Sequence, residues 1–371
     1  MDINIVTITG ESNYGNSLQN YAVIKTLESL GNNVFTLKTQ YEPRFTVFSR
    51  NNLKQYIKVL FKRSNYFCFI RKFKFHIFSN KYLNKTKYVV NENKPELSKK
   101  CDLLVFGSDQ IWNFTWGGRL CEGIDFYSGG FAPDIPKIAY SASIGASYIP
   151  DEKKEKFSQN LSGFKCISVR EEQAKDILSE LIDNKTTVTI DPTIMLSKND
   201  WDKIAKKPSY INKNEKFILT YFLGEKSNEV KDYIKEFSEK NSFRIINLYN
   251  EYEDYNNIAS VNDYCVDPRE YIWLIKHSQI VFTDSFHGSV FSIIFHKNFR
   301  CFQRSKNIES MSSRMDTLFS TMKTSDWCNG DVNETFESLT KYDYKDVDTI
   351  IKEKRDFAKS YLKYALSIIN D

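Results

Sequence analysis

Residues 3–31 read INIVTITGESNYGNSLQNYAVIKTLESLG and pass from a strand through a turn into a helix. The alternating, β-branched INIVTIT predicts the strand, and the Gly and Asn residues of GESNYGNS are typical of a turn. In LQNYAVIKTLESLG, apolar residues recur at helical spacing: Leu18, Tyr21, Ala22, Leu27 and Leu30. Gly31 lies where such a helix would end. A strand followed by a helix is the repeating unit of a parallel α/β sheet.

The same alternation continues along the chain and then restarts. Strands are predicted at NVFTLK, CDLLVF, KIAYSASIG, CISVR and TVTID, and, after the connector DPTIMLSKNDWDKIAKKPSYINKNEK, at FILTYFL, FRIINLY, IVFTD and NFRCFQ. The segments between them have helical patterns. We therefore predict an α/β fold of two Rossmann-like lobes with a ligand cleft between them. The expected lobes are residues 1–200 and 201–340, and a helix in residues 345–371 packs back on both.

The composition is that of a globular protein. The 371 residues are 41% hydrophobic and 15% aromatic, enough to build cores for two domains. No apolar run approaches the roughly 18 residues of a membrane-spanning helix, and the start of the chain lacks the pattern of a signal peptide. A cytoplasmic location is therefore expected. The seven cysteines are scattered and form no C-x-x-C pair, which argues against a disulfide framework and a zinc cluster.

The net charge of +5 conceals a strongly basic segment. Residues 43–91 contain twelve Lys and Arg and no Asp or Glu, so the remainder of the chain carries 5 − 12 = −7. The segment is also rich in aromatic residues. Three interpretations are open: a packed helical insertion with a solvated basic side, peripheral contact with anionic lipids at the inner face of the membrane, and binding of a diphosphate-linked acceptor. Nucleic acid is not expected as a partner, because no nucleic-acid motif accompanies the charge.

Ligands of an open parallel sheet bind beyond the carboxyl ends of its strands. The first such loop is GESNYGNS, where glycines allow close approach of the backbone and neutral amides suit sugar hydroxyls. A purely structural turn is the alternative. The residues predicted to bind an acceptor sugar here are Asn13, Tyr14, Gly15, Asn16 and Gln19.

The second loop is FGSDQIWN, which follows the strand CDLLVF. An acid, an amide and an indole lie close together in it, so we predict acceptor binding by Ser108, Gln110 and Trp112. The carboxylate of Asp109 is placed to accept a proton from a hydroxyl nucleophile. The equal alternative is that Asp109 and Ser108 cap a short helix.

The third loop joins the strand IVFTD to a helix that starts at SFHG, and it places His287 in the first helical turn. A helix N-terminus attracts phosphate or carboxylate, and a His beside a bound anion exchanges protons near neutral pH. Arg170 ends the strand CISVR with a planar fork suited to such an anion. Its alternative is an ion pair with Glu171 or Glu172. Arg314, in SSRMDTLF, is a second candidate anion ligand.

Seven motifs occur in a consistent order over nearly the whole chain: NYGNSLQNYAVIKTL, DLLVFGSDQIWN, KIAYSASIG, SVRE, DPTIML, TDSFHG and SSRMDTLF. In this ordered set the chain resembles the polysaccharide pyruvyl transferase family. The resemblance implies a fold similar to two-domain glycosyltransferases of the B type. It also implies transfer of pyruvate from phosphoenolpyruvate, as a ketal, across two hydroxyls of a sugar or lipid-linked oligosaccharide in exopolysaccharide, capsule or cell-wall biosynthesis. No nucleotide, cofactor or obligatory metal is implied.

Carried over to this chain, the resemblance assigns the donor's anionic groups to Arg170 and gives His287 the phosphate or the role of general acid. Ser285, Gly288 and Arg314 complete the predicted donor site, on the side of residues 201–340, opposite an acceptor side in residues 1–200. Family members commonly carry Arg-x-His where this chain has Ser285-Phe286-His287. One donor ligand is therefore missing, and we expect Arg314 to compensate.

The mechanistic hypothesis gives each candidate a step. His287 protonates the methylene of phosphoenolpyruvate, a sugar hydroxyl assisted by Asp109 attacks C2, and Arg170 stabilises anionic charge. Two other functions fit the same sequence. One is a nucleotide-sugar-dependent glycosyltransferase, against which the lack of a Gly-rich diphosphate loop counts. The other is a non-catalytic protein that binds glycan or membrane through the basic segment.

Overall fold

A computed structural model describes residues 1–9, 12–39, 63–90, 100–116, 123–250, 253, 258–304, 312–325, 332, 335–339 and 343–370. Seven strands form a parallel sheet in the order β3-β2-β1-β4-β5-β6-β7. These strands are β1 (Asp2–Val6), β2 (Asn33–Thr39), β3 (Lys85–Val90), β4 (Leu103–Phe106), β5 (Lys137–Ala142), β6 (Cys166–Val169) and β7 (Thr186–Val188).

The first sheet alternates with helices, as parallel pairing requires. They are α1 (Tyr14–Glu28), α2 (Arg63–Tyr82), α3 (Ile124–Tyr127), α4 (Asp151–Leu161) and α5 (Glu172–Leu181). Short 3₁₀ helices span Phe114–Trp116 and Pro192–Met195. The second of these and α6 (Lys198–Asp202) lie in the segment predicted to be a connector.

A second parallel sheet of four strands has the order β11-β10-β8-β9. Its strands are β8 (Phe217–Tyr221), β9 (Arg244–Leu248), β10 (Ile280–Thr283) and β11 (Phe299–Cys301). The remaining helices are α7 (Asn228–Asn241), α8 (Val261–Tyr264), α9 (Pro268–His277), α10 (Phe286–Ile294), α11 (Ser312–Met322), α12 (Phe336–Leu339) and α13 (Lys345–Asn370). Two parallel sheets with intervening helices confirm the predicted fold class. Within the described ranges, every helix is too short or too polar to span a bilayer.

Two local predictions differ from the structure. The edge strand β3 lies in the basic segment, for which only helices were considered, because the Thr and Val residues of KTKYVV favour a strand. Helix α1 begins at Tyr14 rather than at Leu18. The Asn13 side chain caps it by accepting a hydrogen bond from the backbone N–H of Asn16. The polar NYGNS stretch therefore forms the first helical turn instead of a loop.

The two sheets are joined by a continuous apolar core, to which β1, α1, β8 and α9 all contribute. Within it, the Tyr14 ring stacks on Tyr271 with a centroid distance of 4.4 Å and meets Tyr221 edge-on. These contacts bring the start of α1 against the second sheet.

A buried cation lies at the edge of this joint. Arg71 of α2 is 1% exposed, and its guanidinium donates to the carbonyl oxygens of Ser12 and Tyr264 and to the hydroxyl of Tyr14. The guanidinium also faces the rings of Tyr14, Phe75 and Tyr264. Backbone carbonyls and aromatic faces thus replace the water that Arg71 loses on burial. One residue of the basic segment is consequently a structural link between the lobes.

Helix α13 contacts both halves of the chain. Arg355 donates to the carbonyl oxygens of Ile194 and Leu196, and the Tyr361 hydroxyl donates to that of Ala139 in β5. Nearer the start of the helix, Asp348 pairs with His296 at 2.7 Å, beyond α10.

We expect Arg71→Ala to lower the free energy of unfolding by about 3 kcal/mol, because it removes several charge-assisted hydrogen bonds and leaves their buried acceptors unpaired. Chemical denaturation of the full chain measures this loss. The neighbouring Lys72 is exposed, so Lys72→Ala is the matched control. Equal effects of the two substitutions would contradict the structural role of Arg71.

Candidate functional site

The candidate site lies where the carboxyl ends of strands from both sheets approach each other. β4 leads into residues 107–113, β6 into Arg170, β7 into Asp191, and β10 into His287. At Gly107 the backbone has φ +132°, and a Cβ there would overlap the carbonyl oxygen of Tyr140. This close approach requires glycine.

A carboxylate links the predicted donor residues of the two lobes. Asp191 Oδ2 lies 2.7 Å from Arg170 Nη1 and 3.6 Å from His287 Nε2. The first contact is a buried, hydrogen-bonded ion pair, and the second is longer than a hydrogen bond. Asp191 Oδ1 accepts hydrogen bonds from the backbone N–H and the hydroxyl of Thr193. An arginine from the first sheet and a histidine from the second therefore converge on one internal carboxylate.

The electrostatics of Asp191 follow from this arrangement. Burial alone would raise the pKa of its carboxyl, but His287 and Arg170 more than offset that effect and hold the pKa below its usual range. For Arg170, the desolvation that would lower its pKa is likewise outweighed, chiefly by Asp191. The ion pair predicted as the alternative role of Arg170 is thus present. Its partner is Asp191, whereas Glu171 and Glu172 were the partners expected.

The imidazole of His287 packs directly against the start of α1. A Cβ added to Gly15 would overlap the His287 ring, with Nδ1 as the nearest atom. On the other side, the Ser285 hydroxyl caps α10 by accepting from the backbone N–H of Gly288 at 3.4 Å. Gly288 itself lies against Thr283, so a side chain there would have no space. The first predicted loop and the third are therefore in contact through Gly15 and His287.

Two arginines lie beside each other in this site. The guanidinium carbons of Arg170 and Arg314 lie 4.5 and 5.7 Å from the centroid of the Phe286 ring. Burial, and then the positive charge of Arg170, lower the pKa of Arg314 to about 9, against the opposing effect of Glu171 and Asp109. The two cations thus repel each other in a buried setting.

Several N–H groups of these arginines remain available. Among the described residues, Nε and Nη2 of Arg170 and Nε of Arg314 have no hydrogen-bond partner. The Gln110 amide lies 3.0 and 3.1 Å from the terminal nitrogens of Arg314, and it accepts from both when its oxygen faces them. Buried donors without acceptors are costly, so an anion placed here would gain hydrogen bonds that the protein does not supply.

A pocket of about 490 Å³, part of which is open to solvent, lies next to the two arginines. Its lining includes four largely buried residues: Arg170, Asp191, Phe286 and Arg314. Further residues of α11, and Lys354 of α13, complete the lining. The pocket therefore gives a solvent path to groups that are themselves almost fully buried.

Glu171 holds an adjacent loop in place. Its Oε1 accepts from the Ser143 hydroxyl and from the backbone N–H groups of Ile144 and Gly145, each at 2.9 Å. Its Oε2 is buried without a partner in the described part of the chain. Glu171 thus orders the end of the segment KIAYSASIG, at residues 143–145.

The other predicted acceptor residues are largely engaged within the protein. The Ser108 hydroxyl donates to Gln19 Oε1 at 3.0 Å, and the Gln19 amide donates to Thr7. Asp109 Oδ1 accepts from the backbone N–H of the next residue, Gln110, at 2.8 Å, and within the described residues 107–113 no helix begins for it to cap. The Asp109 carboxylate acts electrostatically on both Arg170 and Arg314. Asn13 caps α1, and Asn16, in the first turn of that helix, is partly exposed.

Two predicted acceptor residues lie in the core. The Trp112 indole is fully buried, donates to the carbonyl of Tyr127 at 2.9 Å and packs edge-on against Phe157. Tyr14 is fully buried in the joint between the sheets. Both side chains are directed into packing, because large aromatic residues gain most from burial.

Sequence reasoning gave no role to Asp191 or Phe286 and considered Glu171 only as an ion-pair partner of Arg170, although all three belong to the cluster. Asp191 directly follows the predicted strand TVTID, so the rule that selected Arg170 at a strand end applied to it equally. No pattern in the sequence indicates that the Phe286 ring contacts two guanidiniums.

We expect Asp191→Asn to lower the free energy of unfolding at pH 7 by about 3 kcal/mol, because it leaves buried Arg170 without its counter-charge. The folded pKa of Asp191 is depressed, so its contribution is present above the unfolded carboxyl value of about 3.9 and is lost as the pH falls towards the folded value. In urea unfolding, the difference in free energy of unfolding between wild type and Asp191→Asn should therefore become smaller from pH 7 to pH 3.

The exposed Asp176 of α5 provides the control, and Asp176→Asn is expected to change stability by less than about 0.5 kcal/mol. If the difference in free energy of unfolding between wild type and Asp191→Asn did not change with pH, the ionised carboxylate would be ruled out as the source of that difference.

Comparison with solved structures places this architecture among known folds. The UDP-GlcNAc 2-epimerase from Neisseria meningitidis bound to UDP-GlcNAc superposes with a TM-score of 0.51 and 14% sequence identity, covering 99% of each chain. The S. aureus MnaA–UDP structure gives a TM-score of 0.51 and 13% identity, covering 100% of this chain and 98% of the other. At such identities the likeness establishes the fold, which is the predicted B-type glycosyltransferase-like arrangement.

Sequence comparison identifies the family. No curated protein matches the chain. The model of the polysaccharide pyruvyl transferase family matches residues 13–306. That range contains Gly15, Asp109, Arg170, Asp191 and His287, and it extends over both sheets. The chain therefore belongs to the polysaccharide pyruvyl transferase family.

Proposed function

We propose that this protein transfers pyruvate from phosphoenolpyruvate onto two hydroxyls of a sugar, forming a ketal, in exopolysaccharide, capsule or cell-wall polysaccharide biosynthesis. The observation that supports this most is the pair of buried guanidiniums, Arg170 and Arg314, with unpartnered N–H groups beside an open pocket. Phosphoenolpyruvate carries a carboxylate and a phosphate, and arginine forks bind both in bidentate geometry.

In the proposed reaction, His287 and Asp109 carry out the proton transfers. His287 gives a proton to C3 of phosphoenolpyruvate, and cationic character develops at C2. The first sugar hydroxyl attacks C2, with Asp109 taking its proton. The C2–O bond to phosphate then breaks, the second hydroxyl closes the ketal, and its proton is taken up by the released phosphate. The methylene has become a methyl group, transfer of the proton from Asp109 back to His287 through solvent restores both side chains, and no cofactor takes part.

The cluster supports these roles in two ways. His287 lies in the first turn of α10, against Gly15 and 3.6 Å from Asp191, so its ring is held between fixed neighbours. Arg170 and Arg314 provide positive charge from side chains that are each 4% exposed, and electrostatic stabilisation is stronger in such a buried setting than in water.

The test is to incubate the full chain with phosphoenolpyruvate and a panel of free and lipid-linked sugars. The expected products are inorganic phosphate and a sugar whose mass has risen by one pyruvate less one water. The two comparison structures contain UDP-GlcNAc or UDP, so UDP-GlcNAc is the competing donor in the same panel. Stabilisation by UDP-GlcNAc, with no phosphate released from phosphoenolpyruvate, would favour a glycosyltransferase instead.

We expect His287→Ala to reduce ketal formation at least about a hundredfold, because it removes the proposed general acid, while thermal melting shows a folded protein. His277 is exposed and stacks on Trp273 away from the cluster, so His277→Ala is the control and should retain activity. Near-normal turnover by His287→Ala would remove His287 from the scheme.

Contact with the membrane is a further part of the proposal. On α2, Tyr66, Phe73 and Ile77 are 45%, 41% and 41% exposed along one face, while Arg71 and Phe75 on the opposite face are buried. The helix belongs to the basic segment, of which residues 43–62 and 91 lie outside the described residues. Apolar side chains beside clustered cations are typical of peripheral attachment to anionic lipid.

Serine substitution of Tyr66, Phe73 and Ile77 together is expected to lower co-sedimentation with phosphatidylglycerol-containing vesicles at least about fivefold, since each side chain buries apolar area in the interface. The control replaces Phe357 and Tyr364, which are 50% and 62% exposed on α13, with serine. Equal sedimentation of the two variants would contradict a membrane surface on α2.

A further inference from the structure

The pocket beside the arginines is completed by residues that lie beyond the family match. That match ends at residue 306, whereas Arg314, Thr317 and Thr321 of α11 and Lys354 of α13 all line the pocket. Helices α11 and α13 therefore form a wall of the candidate donor site.

The charges around the two arginines do not favour a strongly anionic ligand by themselves. The positive charges of Arg170 and Arg314 are opposed by Asp191, Glu171 and Asp109, all of which act on them electrostatically. These three carboxylates offset the positive charge of the two arginines. A ligand with both a carboxylate and a phosphate requires another cation close by.

Lys354 is the lysine in the pocket lining. It makes no ion pair within the described residues, whereas Lys352 on the same helix pairs with Asp356. The other charged residue at this rim, Glu172, is exposed and paired with Lys175 at 3.3 Å. The Lys354 ammonium is therefore available to a ligand.

The backbone of α13 is fixed at this point. The adjacent Arg355 donates to the carbonyl oxygens of Ile194 and Leu196, next to the 3₁₀ helix that follows Asp191. These bonds hold Lys354 at the rim of the pocket that Asp191 and Arg170 line on the inside.

We infer that Lys354 binds the phosphate of the donor at the pocket mouth, while Arg170 and Arg314 bind the carboxylate inside. The inference rests on the proposed function and adds a phosphate ligand from the C-terminal helix. Thr317 and Thr321, one turn apart on α11, provide hydroxyl donors to the same phosphate. A planar guanidinium fork matches a carboxylate, and an ammonium on a flexible stem suits a phosphate that must depart to solvent.

The experiment measures binding of three probes to the full chain by calorimetry: inorganic phosphate, phosphoenolpyruvate and pyruvate. Lys354→Ala is expected to weaken binding of phosphate and phosphoenolpyruvate about tenfold and to leave pyruvate binding unchanged, because pyruvate has no phosphate. Lys354→Arg should restore most of the loss. Lys359 is exposed on the same helix and outside the pocket lining, so Lys359→Ala is the matched control.

Kinetics separate this inference from the proposed function. If pyruvyl transfer occurs, Lys354→Ala should raise KM for phosphoenolpyruvate about tenfold with little change in kcat. Normal turnover together with unaltered phosphate binding by Lys354→Ala would overturn the role of Lys354 and leave the proposed function intact. Absence of pyruvyl transfer, with phosphate binding still dependent on Lys354, would reject the donor chemistry and retain the anion site. A chain that binds neither phosphate nor phosphoenolpyruvate would refute both.

Discussion

The candidate site depends on the buried carboxylate of Asp191. It pairs with Arg170 from the first sheet and lies 3.6 Å from His287 of the second, so one buried anion lies between a guanidinium and an imidazole. Because breaking a buried ion pair is strongly destabilising, Arg170 is held in place without a ligand, and the His287 ring is confined by its packing against Gly15. The space left for a substrate is consequently beside this pair, in the pocket that Arg170 also lines.

The proximity of Arg170 and Arg314 is unfavourable for stability and would favour binding of an anion. Arg314 is buried next to Arg170 and has a lowered pKa, an arrangement that disfavours the empty protein. The Phe286 ring lies against both guanidiniums and offers its electron-rich face as partial compensation. An anion between the arginines would remove the repulsion, so part of the affinity originates in the unfavourable state of the free protein.

The alternation of strands and helices was predictable because a parallel sheet imposes a repeating pattern of apolar residues. The same logic located Arg170, Asp109 and His287 at strand ends. It failed for Trp112, because an indole in a polar stretch looks like a ligand residue until its packing is known. It also gave no role to Phe286, whose contacts with Arg170 and Arg314 join segments that are remote in sequence. Contacts of that kind are set by the tertiary arrangement, which no local pattern encodes.

The buried contacts of Arg71 oppose a hinge motion between the lobes. A hinge opening that separated α2 from Ser12 and Tyr264 would strip this guanidinium of its acceptors and would also pull apart the stacked rings of Tyr14 and Tyr271. Wide domain closure of the kind seen in many bilobal proteins is therefore energetically opposed on this side of the molecule. A small ligand would instead reach Arg170 and Arg314 through the side of the pocket that α11 and α13 line, with the lobes remaining docked.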